Sequence, residues 1–250
     1  MLGFASLSIA SALHVASLNL CTDEYLLLLA RPGEIASVSR LAQDPAESPL
    51  WRQARRYPSN RGTIEQVLGH RPNLLLTMGG GGRSTAVIAR RLGMKAIDLP
   101  FPVSITDIAA NMRLVAGALG DAGRAGPWLA SLDRLKRGAS NERRDAIWVS
   151  GGGASVSSGS PGVEWMELAG LAQRRLPGGR ADLETLAIRP PAVLVRSNYR
   201  SGQMSRGVHW FDHPILRRLK ARTVMTDGRA WTCAGPLMVN EIQRLKGTLP

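Results

Sequence analysis

Two short blocks of this sequence recur in the same order on either side of a stretch that carries no strand signal. Ile64-Glu65-Gln66-Val67-Leu68 followed by Pro72-Asn73-Leu74-Leu75-Leu76 corresponds to Leu183-Glu184-Thr185-Leu186-Ala187 followed by Pro191-Ala192-Val193-Leu194-Val195, at a constant offset of 119 residues. Further on, Arg90-Arg91-Leu92 before Ala96-Ile97 corresponds to Arg217-Arg218-Leu219 before Thr223-Val224, at an offset of 127. Each block reads as a short helix leading into a buried strand. Between them, residues 106–137 show only helical periodicity in Ala, Leu, Met and Arg, broken at Gly126-Pro127, where Pro suits a first helical turn. Duplicated helix–strand units around a helical middle predict an α/β fold of two lobes. Each lobe is expected to hold a small parallel sheet flanked by helices, the two joined by a long rigid helix. The corresponding boundaries are 14–104 for the first lobe, 105–140 for the connecting helical segment and 141–250 for the second lobe.

The rest of the first half fits this alternation. Val15–Leu18 reads as a strand, and Thr22 or Asp23 as the cap of a helix through Leu29, closed by Pro32-Gly33. Ile35–Ser39 is strand-like, and residues 44–60 form a polar segment punctuated by proline. Thr63–Gly69 reads as a short helix whose Gln66 suits a capping box. Asn73–Thr77 and Ala96–Leu99 are strands, separated by a Gly79–Gly82 loop and a helix from Ser84 to Leu92. In the second half, Ala146–Ser150 is a strand running into Gly151-Gly152-Gly153.

Composition narrows the function classes. A hydrophobic share of 44% over 250 residues supports a sizeable core and excludes wholesale disorder. No apolar run reaches the roughly 18–20 residues of a membrane span. Two cysteines exclude a disulfide framework and a multi-cysteine zinc site. The formal net charge of +13 raises a nucleic-acid-binding reading. The basic residues, however, are almost all arginines, with lysine only at 95, 136, 220 and 246, and they are scattered singly or as Arg-Arg pairs without a recognisable nucleic-acid module. Leu2–Ile9 followed by Ala10-Ser11-Ala12 has the length and small-residue pattern of an export signal without its basic start, so residues 1–13 read as a truncated signal segment. An exported chain would meet an oxidising compartment.

In parallel sheets a ligand sits outside the carboxyl ends of the strands, and the loops there supply the candidate residues. The glycine loops containing Gly80 and Gly152 permit close backbone approach or donate N–H groups to an anion, or are ordinary tight turns. Neither is a P-loop, since no Gly-Lys-Ser/Thr follows. Aromatic residues at element ends offer faces for a flat macrocycle or a catecholate, with Trp231 and Tyr199 first and Trp51 next, among a set that includes Tyr57, Trp165 and Trp210. Arg61, Arg83, Arg196, Arg200 and Arg206 share these loops and suit carboxylate or phosphate groups, although a solvated surface charge is the plainer reading of each. Asn19 and Cys21 follow the first strand. Cys21 and Cys233 fall one on each lobe and have three readings: free or weakly paired thiols, ranked first, an interlobe disulfide, or soft metal ligands. His209 and His213 stand four apart, but Pro214 opposes a helix there, and no metal site is assigned. No catalytic motif of the Gly-x-Ser-x-Gly, His-Glu-x-x-His or Gly-x-Gly-x-x-Gly kind is found.

The chain resembles the helical-backbone (class III) periplasmic substrate-binding proteins of ABC importers for vitamin B12, ferric siderophores or haem. The likeness is carried by residues 14–24 (HVASLNLCTDE) with Ile35-Ala36-Ser37-Val38-Ser39, by Ile64-Glu65-Gln66-Val67 with Arg71-Pro72-Asn73-Leu74-Leu75-Leu76, and by Arg91-Leu92-Gly93. It continues in Leu183-Glu184 with Pro191-Ala192-Val193-Leu194-Val195, and in Asp227-Gly228-Arg229, Trp231 and Gly235-Pro236. The resemblance implies a periplasmic monomer that binds a metal chelate between its lobes without chemistry. It further implies no cofactor beyond the cargo and delivery to a permease and ATPase. It also implies an acidic docking residue on each lobe. Glu164 or Glu167 fits that place in the second lobe, whereas Arg83-Ser84 occupies it in the first. The alternative from another class is an enzyme on a two-lobed scaffold, nitrogenase-like or glycosyltransferase-like, which needs an acid/base residue or nucleotide loop.

Overall fold

Buried on both faces, the short apolar runs form two all-parallel sheets. The computed structural model describes residues 13–80, 83–200, 202 and 206–249. The export-signal segment 1–13 therefore lies, apart from Leu13, outside the described residues, as do Gly81, Gly82 and the side chains of Arg83 and Arg206. In the first lobe β1 (Val15–Ser17), β2 (Ile35–Ser39), β3 (Ser59–Asn60), β4 (Leu74–Met78) and β5 (Lys95–Leu99) pair in the order β3-β2-β1-β4-β5. In the second, β6 (Arg144–Val149), β7 (Leu171–Gln173), β8 (Val193–Ser197) and β9 (Arg222–Thr226) pair in the order β7-β6-β8-β9. Leu74 pairs with Lys95, and Val193 with Arg222, so the offsets of 119 and 127 residues carry β4-β5 onto β8-β9 in register.

The helices are α1 (Leu20–Leu29), α2 (Trp51–Ala54), α3 (Ile64–Leu68) and α4 (Arg83–Arg91), then α5 (Ile105–Ala118) and α6 (Gly126–Arg137). The second lobe adds α7 (Pro161–Leu168), α8 (Leu183–Ile188), α9 (Arg206–His209), α10 (Pro214–Arg217), α11 (Gly228–Cys233) and α12 (Met238–Thr248). Three local expectations change. Helix α1 starts earlier than Thr22 because extended Asn19 is its cap, its Oδ1 accepting from the Thr22 N–H at 3.0 Å. The capping box at Thr63 does not form: Thr63 makes no cap bond, and Gln66 Oε1 accepts instead from the Arg61 N–H at 2.6 Å. The connector is two helices rather than one long one: α5 ends at Ala118, Gly120 (φ +79°) and a 3-10 turn over Ala122–Ala125 follow, and α6 begins at Gly126 with Pro127 in its first turn, where the sequence placed the break. Helix α5 is fixed at its start by a capping box, Ser104 with Asp107, and packs on both α1 and α7.

Alternate strand residues enter different cores. Leu74, Leu76, Val193 and Val195 join a single apolar core that also contains Leu26 of α1, Ile108 and Met112 of α5, Trp165 and Met166 of α7, and Ile242 and Leu245 of α12. Leu75 instead joins Val67 and Ala89 on the outer face of the first sheet, and Leu194 joins Ile147, Leu186 and Phe211 on that of the second. Both lobes and the connector thus share their inner core. Trp165 belongs to it outright, fully buried with its Nε1–H donating to the Ala234 carbonyl at 2.8 Å.

Candidate functional site

The strand ends define where a ligand can be met. In the first sheet the chain runs outward from β1 to β2 and β3, then restarts at β4 and runs the other way to β5, so β1 and β4 flank a topological switch point. A cavity of about 540 Å³ opens there, lined by Leu18, Asn19, Cys21, Thr77 and Met78, with Glu47, Phe101 and Thr232. A second hollow of about 250 Å³ faces the other lobe and is lined by Trp148, Ser155, Trp231, Cys233 and again Phe101 and Thr232. Together they form a cleft between the lobes. Trp148 and Trp231 stand with ring centroids 5.2 Å apart, and the Trp231 Nε1–H donates to Thr226 Oγ1 at 2.7 Å, which fixes that aromatic wall. A larger cavity of about 650 Å³, around Ser157, Arg175 and Gly178, has walls from the second lobe alone.

Cys21 and Cys233 are joined by a disulfide with a Cα–Cα distance of 5.4 Å. This overturns the ranking of free thiols first. The first turn of α1 and the last residue of α11 meet at the cleft floor, within the separation a bridge requires, and an interlobe link that spacing could not reveal results.

Beneath the first lobe's wall lies a buried polar layer built from the strand ends. Ser17 Oγ and Thr22 Oγ1 share a hydrogen bond of 2.7 Å, while Asn60 Nδ2 donates to the Ser17 carbonyl and to Ser37 Oγ, each at 2.9 Å. Asp23 accepts from the Ser39 N–H at 3.0 Å and from Ser39 Oγ at 2.5 Å. Loss of solvation on burial outweighs these bonds and pushes its carboxyl up to about 7. Burial also drives neighbouring Glu24 well above the ordinary carboxylate range. A carboxyl raised in the folded state contributes stability that is complete below its unfolded value of 3.8 and is lost as pH rises through about 7. Asp23→Asn is therefore expected to flatten the fall in melting temperature between about pH 4 and pH 7, recovering up to roughly 4 kcal/mol above that range. A thermal-melt series across pH checks this. An unchanged slope would remove Asp23 as its source.

Asn19, Cys21, Trp231 and Cys233 line the cleft. Tyr199 and Arg200 reach across it, the Tyr199 hydroxyl donating to Glu47 Oε2 at 2.5 Å and the Arg200 guanidinium pairing with Glu47 Oε1. Gly80 sits in the turn after β4 with φ +76°, beside Gly79, whose Cα faces Phe101. Gly152 (φ +69°) turns the chain after β6 and accepts a bond from Arg180. Arg61 is exposed, next to cavity-lining Gly62. Trp51 lies on α2 with the guanidinium groups of Arg52 and Arg55 over its ring at 4.5 and 4.6 Å. Arg196 stacks on Phe211 at 4.1 Å. Glu164 accepts from the Ile105 N–H at 2.7 Å, and Glu167 pairs with Arg143 at 3.0 Å. Sequence reasoning missed Glu47, Phe101 and Trp148. A usable signal was present: β1, β2, β4, β8 and β9 end in or next to a small hydroxyl residue (Ser17, Ser39, Thr77, Ser197, Thr226), which marks the polar ends of apolar strands.

The sequence matches no family model and no curated protein. Solved structures match it along nearly its whole length. A periplasmic heme-binding protein from Pseudomonas aeruginosa is 19% identical, with a TM-score of 0.70 over 94% of this chain and 91% of its own. A periplasmic heme-binding protein of Vibrio cholerae is 16% identical, with a TM-score of 0.73 over 95% of this chain and 98% of its own. A periplasmic vitamin B12-binding protein of Vibrio cholerae is 18% identical, with a TM-score of 0.63 over 94% and 95%. With its two parallel-sheet lobes and helical connector, the chain has the fold of the helical-backbone periplasmic substrate-binding proteins.

Proposed function

We propose that this chain is the periplasmic substrate-binding component of an ABC importer, which holds a metal chelate of the haem, cobalamin or ferric siderophore kind between its lobes. The reading rests above all on the cleft. Two parallel sheets direct their strand ends toward one another, and the space between them is mainly apolar on both sides, with Leu18, Leu41 and Met78 on the first lobe, Trp148 and Trp231 on the second, Phe101 shared, and Thr77, Thr232 and Ser155 as isolated hydroxyls. Flat ligands are held well by such walls. The protein acts as a monomer that binds without turnover, takes its metal only as part of the cargo, and hands it to a permease and ATPase. Asn19, Trp231 and the Tyr199–Arg200 loop meet the ligand, and Glu164 and Glu167 are the acidic docking candidates.

Trp148 and Trp231 supply the readout. Titration of the purified, oxidised protein with haemin, cyanocobalamin and a ferric hydroxamate is expected to quench tryptophan emission strongly with one of the three, at micromolar or lower concentration. A parallel thermal upshift with the same compound is expected. Silence in both assays with all three would sink the proposal.

A further inference from the structure

Glu47 stands in an unusual position for a surface-segment carboxylate. It precedes α2, its side chain is only 7% exposed, and it forms part of the wall of the 540 Å³ cavity. Both carboxylate oxygens are held by the opposite lobe: Oε2 accepts from the Tyr199 hydroxyl at 2.5 Å, and Oε1 from the Arg200 guanidinium. A phenol and a guanidinium converging on one carboxylate make a receptor for that group, because charge-assisted bonds are the strong ones and buried anions require them.

The receptor half is built independently of Glu47. Tyr199 N–H donates to Ser197 Oγ at 3.2 Å, and the Gly228 N–H donates to Asn198 Oδ1 at 3.0 Å, so the loop after β8 is tied to the start of α11. Arg200 holds a left-handed backbone (φ +51°), a conformation that non-glycine residues adopt at a cost and that tends to mark binding loops. Its guanidinium lies 5.3 Å from the Tyr199 ring centroid and stays partly open to solvent, with 41% of the side chain exposed. The donors are thus in place against a residue of the cavity wall.

The geometry points to Glu47 as an internal stand-in for a ligand carboxylate: it occupies the Tyr199–Arg200 anion site, and a cargo bearing a carboxylate at its rim displaces it. This rests on the cleft being the ligand site, and it narrows the cargo to chelates that carry such a group. Displacement removes one noncovalent link between the lobes, while the Cys21–Cys233 bridge and the Arg229–Pro45 hydrogen bond still hold them. Glu47 also acts as a selectivity filter, since a neutral ligand gains nothing by opening the contact and must leave it closed.

The test compares wild type, Glu47→Gln, Arg200→Ala and the double variant, using haemin, haemin dimethyl ester and citrate as probes. Glu47→Gln keeps the shape and removes the charge. Removing the competitor is expected to tighten haemin binding about tenfold, with no gain for the dimethyl ester and no gain in the double variant. A Glu47→Gln protein that binds haemin no tighter than wild type overturns the proposal and makes Glu47 a structural brace. If no variant binds haemin, the citrate arm decides. A thermal upshift in Glu47→Gln at citrate concentrations that leave wild type and Arg200→Ala unmoved keeps the anion site and rejects haem as cargo. Without that difference, the stand-in role falls.

Discussion

Replacing both Cys21 and Cys233 by serine is expected to lower the stability of the folded chain by about 3–5 kcal/mol and its melting temperature by about 10 °C. The two residues lie 212 positions apart, so their bond restricts nearly the entire unfolded chain. Loop-closure entropy grows with the logarithm of the length enclosed, which places this bridge near the upper end of the usual range. The effect is not confined to the unfolded state. Cys21 opens α1 under the first lobe's wall and Cys233 closes α11 under the second's, so the bond sets their spacing at the cleft floor. In the serine variant the lobes are held by the shared core, by Glu47 and by the Arg229 guanidinium donating to the Pro45 carbonyl at 2.9 Å. Denaturant melts of the double variant, and of wild type with and without dithiothreitol, check this. Reduction and substitution should give the same shift, and an unmoved midpoint in both would show the bridge to be energetically idle.

Gly228→Ala is the second large effect, and it should damage binding more than folding. Gly228 opens α11 in close contact with the loop after β8. A Cβ built on it would overlap Ser197 Oγ and the Tyr199 Cβ and would stand 2.6 Å from the Tyr199 backbone nitrogen. Backbone cannot yield as a flexible side-chain end can, so either α11 or the Tyr199 loop must shift. Overpacking of this kind costs about 1–3 kcal/mol, which a chain of this size should survive as a folded protein. The Tyr199–Arg200 pair would leave its position all the same, and Trp231 sits one turn along the displaced helix. Affinity for whichever chelate quenches wild-type fluorescence is therefore expected to fall at least tenfold, beyond what the stability loss accounts for. A variant with lowered melting temperature and wild-type affinity would show that this loop plays no part in binding.

Most of the scaffold was legible because parallel strands buried on both faces leave uninterrupted apolar runs. Leu74-Leu75-Leu76 and Val193-Leu194-Val195 announce themselves, and their common offset from the helices before them carries the duplication. Strand β7 escaped notice because three residues, Leu171–Gln173, are too few to show a period, and β3 with two was lost in a polar segment for the same reason. The cap of α1 was misplaced by three or four residues because Thr22 and Asp23 are good caps in themselves, while their side chains turn into the buried layer beneath the strand ends. The site was harder to read. Trp231 and the Tyr199–Arg200 loop follow from lying after strands, but Trp148 hides inside the apolar run of β6, and Glu47 acquires its place only through contacts with residues about 150 positions away. The same holds for the disulfide, whose partners meet only when α1 and α11 face each other across the completed cleft.

The single inner core has a consequence for how such a chain can diverge. Helix α5 touches α1 on one side and α7 on the other, and residues of both sheets pack into the same apolar cluster as the connector. Neither lobe is a cassette. A lobe exchanged with that of a solved structure of this fold 16–19% identical would bring its own α1 or α7 to an α5 shaped for another partner, and the mismatch would fall in the shared apolar core. A change in the chemistry of the cleft is more readily accommodated in the loops at the strand ends, where Glu47, Phe101 and Arg200 can vary without disturbing that joint.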